Sequence, residues 1–217
     1  MDLTRHEKEM LDGKYGKGTA MAMKIQVAIG ETFDAEKMVD ITRAHVALSA
    51  QDADLWFVEK LLTQGAFCKV SPTVNPSIDL DYLNGHLCEI PKAGVDIVTA
   101  TNEAYKKIGA TLTFNCTPYL SQNVPVFGEI IAFSESSATP YVNSVIGARS
   151  NRESSQSALC AAVTGKVPLY GLLLDKNRKA EIQVKVEADI QSDFDYQLLG
   201  WCYPEKYKGL EVPVFSG

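Results

Sequence analysis

Hydrophobic side chains along this chain recur at helical spacing in some segments and in short strand-like runs in others. Residues 17–33 and 54–64 repeat apolar positions every three to four residues, which predicts two amphipathic helices. Between them, residues 41–48 form a brief apolar run that is typical of a buried strand. The alternation of helix and strand predicts an α/β fold, in which a parallel or mixed sheet is flanked by helices.

The remaining segments extend the same pattern. Further helices are predicted at residues 101–108 and 154–163, and further strands at 111–115, 129–133 and 180–190. At the N-terminus, Thr4 and Glu7 have the spacing of a capping box, and Gly13 would end the short helix that they begin. Prolines and glycines make residues 71–95 rich in loops. We therefore interpret residues 1–217 as one region, with a possible subdivision near 71–95.

Composition narrows the class of protein. The 217 residues are 46% hydrophobic and 22% charged, as in ordinary globular domains, and carry a net charge of −6. No basic run is present, which argues against nucleic-acid partners. No apolar stretch approaches the roughly 18 residues of a membrane-spanning helix, and the N-terminus is charged from the start, so we expect a cytoplasmic protein without membrane contact. The final stretch, residues 209–217, is apolar and stops abruptly, so we expect it to be an internal cut.

Five scattered cysteines exclude two common uses of this residue. They are odd in number and never form a C-x-x-C pair, so neither a disulfide framework nor a compact zinc site is expected. Most should be small buried hydrophobic residues. The five are Cys68, Cys88, Cys116, Cys160 and Cys202.

Cys116 has a more suggestive position than the other cysteines. It directly follows the predicted strand at 111–115, and ligands bind at the carboxyl ends of strands in open α/β sheets. A thiolate there could ligate iron, act as a nucleophile or merely fill space. The sequence alone leaves these three alternatives open.

A group of polar residues that could bind an anion follows shortly after Cys116. Guanidinium groups bind carboxylates or phosphates in bidentate fashion, and amides and hydroxyls supply further hydrogen bonds. The alternative is a surface turn whose arginines are solvated. The residues concerned are Asn143, Ser144, Arg149, Asn151 and Arg152.

Two titratable residues also lie near predicted strand ends. His45 falls toward the end of the strand at 41–48, at an edge of the sheet, where it is either a hydrogen-bonded structural residue or part of a site. Glu135 lies between serines after the strand at 129–133, and could serve as acid, base or supporting partner. No nucleotide-binding, esterase or zinc-protease motif is present.

Several motifs, in order, resemble those of the aconitase X family over essentially the whole chain. The most specific are Cys116-Thr117-Pro118-Tyr119, Glu135-Ser136-Ser137-Ala138 and Asn143-Ser144-Val145-Ile146-Gly147-Ala148-Arg149, preceded by Ile41-Thr42-Arg43-Ala44-His45 and Pro72-Thr73-Val74-Asn75-Pro76. One departure is Gly171-Leu172-Leu173-Leu174, where many members have Gly-Leu-His-Leu.

The resemblance implies an aconitase-like fold and a dehydratase activity. It implies an iron or iron–sulfur centre that binds the substrate hydroxyl as a Lewis acid, while a base removes the proton next to the carboxylate. Cys116 matches a ligand of that centre, and His45 and Glu135 match catalytic positions. The residues implied to bind the substrate are Asn75, Ser136, Asn143, Ser144, Arg149, Asn151 and Arg152.

The resemblance also implies that the chain is incomplete. The catalytic part of the family is near twice this length, and the C-terminal half and a small swivelling subunit would complete the site. Alone, the chain is expected to be inactive. Its substrate would be 5-phosphomevalonate or, as an alternative, cis-3-hydroxy-L-proline. A third interpretation is a non-catalytic fragment or assembly module that keeps the fold without the metal.

Overall fold

Four parallel strands form the centre of the first of two units, Met1–Leu173. Their order across the sheet is β4-β3-β2-β5, so β2 is an interior strand, and all three pairings are parallel. The sheet confirms the predicted α/β class. The strands are β2 (Arg43–Ala47), β3 (Thr73–Asn75), β4 (Thr111–Leu112) and β5 (Ile131–Phe133).

Helices cover this sheet, and a small antiparallel ladder pairs β1 (Met38–Asp40) with β6 (Lys166–Pro168). The sixth helix packs against β2 and is the most deeply buried, because small residues such as Ala158 and Ala161 allow close approach on several sides. The helices of this unit are α1 (Arg5–Leu11), α2 (Lys17–Thr32), α3 (Asp52–Thr63), α4 (Lys92–Lys107), α5 (Ala138–Tyr141) and α6 (Ser155–Thr164).

The second unit, Leu174–Gly217, contains β7 (Ile182–Lys185), α7 (Asp193–Tyr207) and β8 (Pro213–Ser216), with β7 and β8 paired in parallel. The strand predicted at residues 180–190 is confirmed as the shorter β7. The apolar spacing does not predict α7, because its apolar residues do not form one stripe and it contains Pro204.

The computed structural model describes residues 1–48, 51–75, 82, 91–207 and 212–217. No helix within these residues is long and apolar enough to cross a membrane. Most of the loop-rich segment at 71–95, with Cys88, lies outside the described residues, so a subdivision there stays a prediction.

Element boundaries were predictable where local signals were strong. The helices predicted at 17–33, 54–64 and 154–163 are confirmed to within two residues at each end. The capping box is also confirmed, since the Glu7 amide donates to Thr4 Oγ1 at 3.3 Å and the Thr4 amide to Glu7 Oε2 at 2.7 Å. The helix predicted at 101–108 begins much earlier, at Lys92.

Two helical glycines provide a matched test of the packing around α2. A Cβ added to Gly18 would lie 2.7 Å from both the Leu61 main-chain oxygen and the Ala66 Cβ, whereas a Cβ on Gly200 in α7 would meet nothing within 4 Å. We expect Gly18→Ala to destabilise the protein by about 1–3 kcal/mol despite the helix propensity of alanine. Gly200→Ala should be neutral or stabilise by about 0.5–1 kcal/mol.

The measurement is thermal unfolding of the two variants beside the parent protein. A Gly18→Ala variant that melts at or above the parent temperature would contradict the close approach of α2 to the Leu61–Ala66 segment.

Candidate active site

Three segments bring polar side chains together at the carboxyl edge of the parallel sheet. Asn75 ends β3, Glu135 follows β5 by two residues, and Cys116 lies in the loop after β4. Asn75 Nδ2 donates to Glu135 Oε1 at 3.0 Å and to Cys116 Sγ at 2.8 Å. Because a carboxylate only accepts hydrogen bonds, the Asn75 nitrogen must face it. The structure thus places three residues singled out in the sequence within one contact network.

His45 lies beneath Glu135 rather than beside it. It is the middle residue of β2, an interior strand, so its predicted position at a strand end on the sheet edge is wrong. Its side chain is fully buried, while that of Glu135 is 16% exposed. Only Glu135 of this pair can therefore touch a molecule arriving from solvent.

Burial lowers the pKa of His45, since a charged imidazole loses hydration there, and the negative charge of Glu135 offsets only part of this effect. His45 is consequently neutral near pH 7. Its Nε2 lies 3.5 Å from Glu135 Oε1, longer than an ordinary N–H···O bond, and has no hydrogen-bond partner among the described residues. The two groups interact by electrostatic approach rather than by a full hydrogen bond.

Two of the three asparagines expected to bind substrate, Asn143 and Asn151, hold main-chain groups. Asn143 Nδ2 donates to the main-chain oxygens of Thr139 and Ser150, both at 2.8 Å. Asn151 is buried, and its Nδ2 donates to the main-chain oxygen of Tyr170 at 3.1 Å. These contacts hold the segment between α5 and α6 in place and tie it to the chain at Tyr170. Direct contact of either residue with a substrate stays a prediction.

The two arginines lie at different levels of the sheet. Arg149 forms a parallel bridge with Ile130, at the amino end of β5, and its Nη1 donates to the Leu173 main-chain oxygen at 2.9 Å. Glu135 follows the opposite, carboxyl end of β5. Arg152 is exposed, and the parallel direction of its segment carries it toward that carboxyl end. The structure therefore separates the two arginines along the sheet, and their binding of an anion stays a prediction.

The predicted serines are both exposed but belong to different turns. Ser136 directly follows Glu135 in the turn before α5, at the carboxyl edge of the sheet. Ser144 lies on the π-helical turn Val142–Ile146 that follows α5. Ser136 is the serine that the chain itself places beside the carboxylate.

Thr73 contacts the His45 ring and Asn123 contacts Thr73, and neither is among the predicted site residues. Thr73 Oγ1 lies 2.9 Å from His45 Nδ1, and Asn123 Nδ2 donates to Thr73 Oγ1 at 2.9 Å. Thr73 had a usable signal, because it lies two residues before Asn75 and so faces the same side of β3. Asn123 had none, since it lies in an irregular loop far along the chain.

The cysteines differ sharply in their capacity to bind metal. Burial raises the pKa of both Cys68 and Cys160 to about 12, which keeps them as thiols, whereas Cys116 is exposed beside the site. Among the described residues, no group of three or more His, Cys, Asp or Glu side chains could hold a metal ion. Cys116 thus fits one ligand position of an iron centre, and further ligands would have to come from elsewhere.

Glu153, just before α6, is a buried carboxyl group that accepts a hydrogen bond from a neutral serine. Ser157 Oγ donates to its Oε2 at 2.6 Å, and burial raises its pKa above the ordinary 4.5, with that hydrogen bond opposing the rise. The unfolded chain therefore ionises first, so the free energy of unfolding falls as pH increases from about 4.5 through the folded-state pKa. Glu153→Gln cannot ionise and keeps an oxygen that accepts from Ser157.

We expect Glu153→Gln to raise the melting temperature at pH 8 and to have a smaller effect at pH 5, as measured by thermal unfolding at both values. An equal effect at the two pH values would show that the carboxyl group carries no burial penalty.

A parallel sheet whose carboxyl edge gathers a carboxylate, an amide and a thiol has the arrangement at which α/β proteins typically bind small molecules. A family model described as the aconitase X first domain matches residues 1–176. The crystal structure of Thermococcus kodakaraensis aconitase X in its holo-form superposes with a TM-score of 0.87 at 38% identity, covering 99% of this chain and 54% of that one. The chain belongs to the aconitase X family.

Two kinds of dehydratase are similar in sequence to this chain. The phosphomevalonate dehydratase large subunit of Methanothermobacter thermautotrophicus is 42% identical over 99% of this chain and 54% of its own length. The cis-3-hydroxy-L-proline dehydratase of Pseudomonas aeruginosa is 34% identical over 99% of this chain and 37% of its own length. The chain thus spans about half or less of the relatives that it matches.

Proposed function

We propose that this chain is the N-terminal half of the catalytic part of an iron-dependent hydro-lyase that dehydrates 5-phosphomevalonate. The observation that carries the proposal is the contact of Asn75 with both Glu135 and Cys116, which joins a candidate base to a candidate metal ligand. The substrate follows from the phosphomevalonate dehydratase large subunits among the relatives.

Glu135 is the base in this proposal. Its Oε1 accepts from Asn75 and faces His45, while Oε2 has no hydrogen-bond partner among the described residues. Oε2 can therefore take the proton from the carbon next to the substrate carboxylate. Because His45 is buried, it acts only through Glu135.

Exposed groups at the same edge would bind the charged ends of the substrate. Arg152 can bind a carboxylate or phosphate through two parallel N–H bonds, and Ser136 can add a hydroxyl. Ser144, Asn143, Asn151 and Arg149 would shape the surrounding loops, as their positions and main-chain contacts indicate.

Cys116 would be one ligand of the iron or iron–sulfur centre. That centre would act as a Lewis acid and make the substrate hydroxyl a better leaving group. The exposure of Cys116 fits a ligand to a centre shared with other segments. We propose that the C-terminal half and a small subunit complete the site, in keeping with relatives named as large subunits, and that the assembly is cytoplasmic.

A second candidate is the dehydration of cis-3-hydroxy-L-proline, which the Pseudomonas aeruginosa relative favours. Both substrates combine a hydroxyl with a carboxylate, so the same base and metal ligand serve either. Only 5-phosphomevalonate adds a phosphate, which requires a second anion site. A non-catalytic fragment that keeps the fold is the remaining alternative.

The deciding experiment is anaerobic iron–sulfur reconstitution of the complete protein with its small subunit, followed by assays with both substrates. Turnover of 5-phosphomevalonate but not of cis-3-hydroxy-L-proline is the expected result. The reverse preference would establish the second candidate. Iron loading without turnover of either substrate, or no iron loading at all, would leave a non-catalytic relative.

A further inference from the structure

A row of buried hydrogen bonds runs beneath Glu135, and the proposed chemistry does not use it. Asn123 Nδ2 donates to the Ala44 main-chain oxygen and to Thr73 Oγ1, both at 2.9 Å, and Thr73 Oγ1 lies 2.9 Å from His45 Nδ1. Asn123, Thr73 and His45 are 7%, 8% and 0% exposed. Buried polar side chains in such a row hold one another in a single arrangement.

The Ala44 carbonyl at one end of this row fixes the direction of the hydrogen bonds that follow. The Ala44 carbonyl can only accept, so the Asn123 nitrogen must face it, and that same nitrogen directs its second hydrogen to Thr73. Thr73 Oγ1 accepts from Asn123, and its own hydrogen has one acceptor among the described residues, His45 Nδ1. His45 Nδ1 can accept that hydrogen only when it carries none of its own.

We propose that Thr73 and Asn123 are positioning residues that hold His45 as the neutral tautomer with its hydrogen on Nε2, facing Glu135. The effect on turnover rests on the function proposed above, whereas the tautomer itself does not.

The chosen tautomer decides how Glu135 behaves. A hydrogen on Nε2 directs a partial positive charge at Oε1, the oxygen to which Asn75 also donates at 3.0 Å. The opposite tautomer would place the Nε2 lone pair against the carboxylate, and the repulsion would turn Glu135 away. With the assigned tautomer, Oε1 is anchored and Oε2 remains as the proton acceptor. Catalytic hydrogen bonds are often long without substrate and shorten when it binds. The 3.5 Å separation between His45 Nε2 and Glu135 Oε1 fits this behaviour.

An ion pair anchors the far end of the row. Arg43 Nη1 lies 3.5 Å from Asn123 Oδ1, and its Nε donates to Glu129 Oε2 at 3.0 Å. The Asn123 oxygen thus faces a cation while its nitrogen faces the two acceptors. This arrangement opposes an amide flip, which would reverse every bond up to His45.

The first test uses the unaltered protein and needs no substrate. In the complete protein labelled with ¹⁵N-histidine, the His45 ring signals are identified by their loss in His45→Gln. At pH 7 we expect an unprotonated Nδ1 and a protonated Nε2. A hydrogen on Nδ1, or a doubly protonated ring, would overturn the proposal.

The second test removes the Thr73 hydroxyl while keeping the shape of the side chain. Thr73→Val should disturb the His45 tautomer and lower kcat by about 10- to 100-fold with little change in KM. Thr73→Ser should restore both. The matched control is Thr111→Val, since that exposed threonine lies on the neighbouring strand and its hydroxyl contacts Ser71 instead.

A Thr73→Val variant with the unaltered His45 tautomer, or failure of Thr73→Ser to restore it, would overturn the positioning role. If no substrate is turned over but the ring signals behave as expected, the tautomer assignment stands and the proposed function fails.

Discussion

Replacing Glu135 with glutamine is expected to lower the kcat of the complete protein by about 10²- to 10⁴-fold, the usual contribution of a general base. Glutamine keeps the shape of the side chain, and its oxygen can still accept from Asn75. It cannot accept the substrate proton, because an amide nitrogen at the second position has no basic lone pair. The measurement is steady-state turnover of 5-phosphomevalonate at saturating substrate, with KM and iron content determined on the same sample.

Iron content distinguishes a lost base from a damaged metal site, so it should equal that of the parent protein. Glu103→Gln is the matched control, because Glu103 is an exposed carboxylate on α4 whose partner is Lys106. Its kcat should be unchanged. A Glu135→Gln variant that keeps kcat within a few fold of the parent would assign proton removal to another group.

Replacing Cys116 with alanine is expected to abolish turnover together with most of the iron. Thiolates are the usual ligands of iron–sulfur clusters, and loss of one ligand removes both affinity and correct placement of the metal. The buried Cys68 and Cys160 cannot substitute for it, since burial holds both as thiols. Iron content and visible absorption after anaerobic reconstitution measure the effect directly.

Cys202→Ala controls for the loss of an exposed cysteine, because Cys202 lies on α7 in the second unit. This variant should bind iron and turn over substrate like the parent. If the iron content of Cys116→Ala equals that of the parent, Cys116 is not a metal ligand. If the protein turns over substrate without iron, the proposed reaction does not use the metal.

The sequence by itself determined the elements whose signals are local. Apolar spacing gave α2, α3 and α6 nearly to the residue, and the capping box at Thr4 and Glu7 gave the start of α1. The alternation of helices and strands implied a parallel sheet, and therefore a polar edge where strands end. Cys116 and Glu135 were predicted at that edge for this reason, and both lie there. These features depend on neighbours a few residues apart, which a sequence displays.

Only the tertiary structure decided which polar groups meet. Asn75 and Cys116 are 41 residues apart, and His45 and Thr73 are 28 residues apart, so their contacts depend on strand order and register. The residue type of His45 indicates acid–base chemistry. Its position on an interior strand, which depends on the fold, buries it away from solvent.

The same holds for the loops around the site. Asn143 and Arg149 have the chemistry to bind an anion, yet they donate hydrogen bonds to the main-chain oxygens of Ser150 and Leu173. Buried or half-buried main-chain groups require partners, and nearby side chains satisfy them first. A sequence shows donors and acceptors but not which of them the folded chain has already paired, so it predicts the polar edge of the sheet more directly than the side chains that would bind a substrate there.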